Sequence, residues 1–133
     1  MGVCGADNPI YCDIHNYYDI ANAKTPLDFP IKFYNKWLDA NHSKKNHLFA
    51  TLDYFDVQNF VPYIKVPTVM VLSALDPIAP PSCVYATFNK LSDKTKRISE
   101  INILQDLGHE ITREYGYLKS LWIEENISNA TKH

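Results

Sequence analysis

The sequence predicts an α/β fold built on a parallel sheet, and three observations carry that reading. Ile98 to Leu104 reads as one strand, and Val66 to Ser73 is an apolar run rich in β-branched residues, with no strict alternation. Strands covered on both faces look like this. Between them Pro80 and Pro81 break the chain, and Val84, Phe88 and Leu91 then share one helical face. After the second run, Ile111, Tyr115, Leu118 and Trp122 recur at i, i+4, i+7 and i+11. Strand, helix, strand, helix in that order gives parallel pairing with right-handed crossovers.

The remaining elements follow from local patterns. Gly2 to Ala6 reads as the middle of a short buried strand and Asp7-Asn8-Pro9 as the turn after it. That makes about three parallel strands and an abrupt start, as expected of a portion of a larger domain. Pro30 suits a first helical turn, and Ile31, Tyr34 and Leu38 then form a stripe flanked by Phe33 and Trp37. Leu48, Leu52 and Phe55 predict a second helix, and Asp56 and Asn59 read as caps or turn formers. Gly116 falls inside the final helix, where it costs about 1 kcal/mol relative to Ala. Ser128 to His133 is expected to fray.

With 133 residues, 46% hydrophobic and 21% charged, the chain is long enough for one globular domain and too short for two. The formal net charge is −2. The basic clusters Lys44-Lys45 and Lys94, Lys96, Arg97 read as solvated loops or helix ends, which argues against nucleic acid as a partner. Val66 to Leu75 falls far short of the ~20 residues that span a bilayer, so no membrane partner is expected, and no signal peptide follows Met1. Cys4, Cys12 and Cys83 are an odd number without paired spacing, so free thiols in a cytoplasmic setting are expected. Asn41, Asn126 and Asn129 match glycosylation sequons by chance. Cys4, Cys12 and His15 lack zinc spacing, and His42 and His47 are one position off a helical ligand pair, so no metal is implied. The Tyr and Trp residues read as core packing, not as a ligand platform.

Two residues carry chemistry. Asp76 follows the first run and His109 follows the second, 33 positions later. Either alone is an ordinary turn residue. Together they stand just past the C-terminal ends of consecutive strands, where parallel sheets place their functional loops and neighbouring strands lie about 5 Å apart. The carboxylate can then hold one imidazole nitrogen while the other accepts a proton. An acid followed by a histidine is the back half of the Ser-Asp-His order of α/β hydrolases. No Gly-x-Ser-x-Gly occurs in the sequence, and none of the seven serines has an elbow's flanking glycines. Gly2-Val3-Cys4-Gly5-Ala6 has the small residues of an elbow. It lacks the strand before it and the helix after it.

The motifs resemble a family. Thr51-Leu52-x-Tyr54-Phe55-Asp56-x-x-Asn59, Pro67, Leu75-Asp76-x-Ile78-x-Pro80-Pro81-Ser82-x-x-Tyr85-Ala86-x-Phe88-Asn89 and Gly108-His109-Glu110 are similar to the C-terminal portion of the acetyl xylan esterase/cephalosporin C deacetylase family. Val3 to Asp13, with Pro9 and Cys12-Asp13, resembles that family's sixth strand and the segment after it. The resemblance implies that residues 1–133 are a single, incomplete α/β-hydrolase domain that acts on acetylated carbohydrates or similar small esters. It implies Asp76 as triad acid and His109 as triad base, no metal or organic cofactor, and a homo-oligomer. Ala74, Ala79 and Cys83 replace the family's usual Gly, Cys and Thr. With the serine segment unmatched, three readings stand: an esterase portion, a non-catalytic binding or assembly module, and one half of a split enzyme completed by an upstream hydrolase fragment.

Overall fold

A computed structural model describes residues 14–24, 31–110 and 112–130. The strand expected at Gly2 to Ala6, Cys4 and Cys12, Pro30 and Ile111 lie outside the described residues.

Three helices come first. Helix α1 (Ile14–Lys24) was not anticipated from the sequence; its buried face is Ile14, Tyr17 and Tyr18. Helix α2 (Ile31–Ala40) buries Ile31 and packs Tyr34 and Leu38 inward, while Phe33 and Trp37 face outward. Helix α3 (Lys45–Leu52) buries Phe49, not the expected Phe55. The helix stops at Leu52 because the next backbone bonds are turn bonds, Phe55 N to Leu52 O and Asp56 N to Asp53 O. That leaves Phe55 past the helix and 60% exposed. These helices share one apolar cluster with Cys83.

The turn residues act as the sequence implied. Asp56 is fully buried and starts a 3-10 turn by accepting from Gln58 N at 3.0 Å. Its other oxygen accepts from Ile14 N at 2.8 Å, so one carboxylate ties α1 to a loop 42 positions away. Asn59 donates to Asp53 O at 2.9 Å.

Strand β1 (Val69–Ser73) then pairs in parallel with strand β2 (Glu100–Leu104), with Val69 opposite Glu100 and Ser73 opposite Leu104. Both strands begin later than the apolar runs. Pro67 has no N–H to give a ladder, and Thr68 N donates instead to Ser99 Oγ. Ile98 and Ser99 donate to Thr95 O and Lys96 O in turns. Cover on both faces was expected of Val66 to Ser73, yet Val71 and Ser73 are only half-buried; on β2, Glu100 and Ile103 are exposed.

Helix α4 (Pro81–Asn89) begins at the second of two prolines, where a missing N–H costs nothing. It places Val84 against Met70 and Leu72, with Phe88 half-buried beside them. A short helix α5 (Asp93–Lys96), capped by Ser92 Oγ on Thr95 N, carries the basic cluster at its end. Helix α6 (Arg113–Ala130) is anchored by buried Trp122. It extends through Ser128 to Ala130, with no Gly or Pro after Gly116 to interrupt it.

Candidate active site

The parallel register decides what meets at the C-terminal end of the sheet. Past the last paired residues, Ala74 N donates to Leu104 O at 2.9 Å and Leu75 N to Leu107 O at 3.0 Å. The ladder thus continues into the two loops and holds them side by side. Asp76 is the next residue on one loop, and His109 follows Gly108 on the other.

The Asp76 side chain is only 8% exposed and all its visible bonds are accepted ones. Oδ1 accepts from Ile78 N at 2.8 Å and from Ala79 N at 2.7 Å. This local turn fixes the carboxylate before the prolines start α4. Oδ2 lies 2.9 Å from His109 Nδ1. A carboxylate only accepts, so Nδ1 carries the proton of this bond. Nε2 is then the lone-pair nitrogen, and it has no protein partner among the described residues. The imidazole is 46% exposed, open to a reactant.

Both residues line a cavity of about 280 Å³ whose walls include Val71, Leu72, Val84 and Leu104. Ser73, Glu110 and Tyr115 add polar atoms to it. Sequence reasoning placed Tyr115 in a core stripe and gave Ser73 no role. Only Glu110, adjoining His109, was marked by its motif. Glu110 Oε1 accepts from Gly108 N at 3.4 Å, which bends the loop around the histidine. At Gly108 an added Cβ would meet nothing within 4 Å, so the backbone here does not demand glycine.

The arrangement can orient an imidazole in one tautomer, stabilise its protonated form, and present the free nitrogen to an apolar-walled space. Chemically, such a pair has the geometry that the acid–base half of a nucleophilic relay requires. Cys83 is buried and forms no disulfide among the described residues, and His42 and His47 are exposed. Among the described residues no group of three His, Cys, Asp or Glu could hold a metal, and no helix is long and apolar enough to cross a membrane.

A family model for acetyl xylan esterase (AXE1) matches residues 3–125. The chain belongs to the acetyl xylan esterase family. Two solved structures agree with that assignment. Acetyl xylan esterase 1 from Thermoanaerobacterium sp. JW/SL YS485 superposes with a TM-score of 0.69 at 28% identity, over 86% of this chain and 35% of that one. The acetyl xylan esterase from Paenibacillus sp. R4 gives 0.72 at 25% identity, over 86% and 34%. The two-stranded parallel sheet and its helices are therefore part of an α/β-hydrolase-like fold. The chain spans about a third of the length of these esterases.

Proposed function

We propose that this member of the acetyl xylan esterase family supplies the acid and base of a serine esterase that removes acetyl groups from acetylated carbohydrates. The observation that carries the reading is the Asp76–His109 bond at the C-terminal ends of two parallel strands, beside a cavity. Both matched structures are acetyl xylan esterases, which supports acetylated xylan as the ester. The resemblance of the motifs adds cephalosporin C as a second acetyl ester.

In this reading His109 Nε2 takes the proton from a serine hydroxyl as the oxygen attacks the acetyl carbonyl. Asp76 holds Nδ1–H and stabilises the imidazolium. His109 then returns the proton to the departing sugar oxygen, leaving an acetyl-enzyme. Water then attacks the acetyl carbon as its proton passes to the same nitrogen, and His109 gives that proton to the serine oxygen as the acyl–serine bond breaks and acetate leaves. No serine in these 133 residues stands in an elbow, so the nucleophile and the oxyanion donors come from polypeptide beyond them. A span of one third of the solved esterases fits a role as one part of such an assembly.

A chimera tests this. Residues 3–125 replace the matching segment of the Thermoanaerobacterium esterase, and acetate release from acetylated xylo-oligosaccharides is measured. Release that disappears with His109→Ala is the expected result. A chimera that melts like the parent enzyme yet releases no acetate would contradict the proposal.

A further inference from the structure

A second cavity, of about 300 Å³, shares no lining residue with the one at His109. It is a groove between two helix faces. His15 and Asp19 stand one turn apart on α1, and Lys45 and Phe49 are one turn apart on α3, with Asp53 a turn further at its end. From Lys45 to Asp53 the helical rise gives a length of about 12 Å.

The floor is aromatic. The His15 ring stacks on Phe49 with centroids 4.5 Å apart and planes inclined by 25°. His15 Nε2 meets Asp53 Oδ1 at 2.9 Å and closes one end. Toward the other end the Lys45 ammonium stands 5.2 Å from the Tyr18 ring centroid and 5.6 Å from that of Phe49. Neither Asp19 nor Lys45 forms an ion pair among the described residues, and the Asn46 side chain makes no hydrogen bond there. All three are exposed.

Charge narrows the ligand. Two carboxylates in the lining repel an anion such as phosphate. A small organic cation would seek the ring faces, but the Lys45 ammonium already occupies that position. A neutral molecule rich in hydroxyls meets neither objection. It would find an acceptor in Asp19, a donor in Lys45 and both in Asn46, next to the exposed His15 ring.

We propose that this groove binds a neutral carbohydrate segment of one or two sugar rings, with one ring's C–H face on His15 and its hydroxyls on Asp19, Lys45 and Asn46. Binding here uses neither a serine nor His109, so it stands or falls separately from the esterase reading. In a carbohydrate-acting enzyme the groove would hold an unesterified stretch of the polymer away from the reacting ester.

Calorimetric titration of the full chain with xylotetraose tests the site, with inorganic phosphate as the anion control. Wild type and His109→Ala are expected to bind the sugar equally. Asp19→Ala and Asn46→Ala are each expected to raise Kd by about tenfold or more, the loss of one well-made hydrogen bond to the ligand. Both replaced side chains are exposed, so an unchanged far-UV spectrum is expected as the fold control. Absence of xylotetraose binding, binding lost with His109→Ala but kept with Asp19→Ala, or tighter binding of phosphate than of sugar would each overturn the proposal.

Discussion

Replacing Asp56 by alanine should be the most damaging single change outside the sheet. The carboxylate is fully buried. It accepts from Ile14 N at 2.8 Å, from Gln58 N at 3.0 Å and from Gln58 Nε2 at 3.0 Å. Alanine leaves the two backbone donors without their acceptor. A buried donor left unsatisfied costs about 1–3 kcal/mol, so two cost about 2–6. Removing a desolvated charge offsets part of that, and about 3 kcal/mol of destabilisation remains. For a chain of this size that is roughly a 10 °C fall in Tm. Asp56→Asn keeps one acceptor oxygen and turns an amide toward the other donor, so about half the loss is expected. Urea denaturation followed by far-UV circular dichroism reads both variants. A loss below about 1 kcal/mol for Asp56→Ala, or an Asn variant as unstable as the Ala variant, would refute the claim that these accepted bonds hold α1 in place.

Three further outcomes follow from packing and titration. Phe88 is half-buried against Met70, Leu72 and Val84, so Phe88→Ala should cost about 2–3 kcal/mol, below the 3–5 of a fully buried ring; a denaturation midpoint that stays put would show that α4 does not pack there. Gly116 is exposed in α6, and an added Cβ meets nothing within 4 Å, so Gly116→Ala should stabilise by up to about 1 kcal/mol; a loss in the same assay would mean this helical turn is not as described. Burial first, and then Tyr34, Cys83 and Asp76 nearby, push the Tyr17 phenol above its ordinary 10.0. A raised value favours the neutral form in the fold, so its contribution is intact below pH 10 and is lost as pH rises through the higher folded value. Tyr17→Phe should flatten that alkaline decline, and an unchanged slope would count against it.

The sheet and the Asp–His pair were legible in the sequence for topological reasons. Two apolar runs with a proline-started helix between them leave little choice but parallel pairing, and parallel pairing puts the residues after each run together. Helix α1 was not legible. Its stripe of Ile14, Tyr17 and Tyr18 lies in a segment crowded with Asn, Asp and Tyr, and its first N–H is satisfied by Asp56, far along the chain. Phe49 is buried and Phe55 is not, because the turn bonds after Leu52 carry Phe55 past the helix. The same distance effect hid the groove, because His15 and Asp53 meet across 38 positions.

The central claim is that Asp76 fixes His109 as a base with its free lone pair on Nε2. Nitrogen NMR of the chain labelled at histidine, at pH about 8 where an ordinary imidazole is neutral, reads the tautomer directly. The account predicts that His109 is protonated at Nδ1 and bare at Nε2, and that Asp76→Asn, whose amide can donate where the carboxylate only accepted, abolishes the preference. A His109 protonated at Nε2, or one that exchanges evenly between tautomers in the unaltered chain, would contradict it.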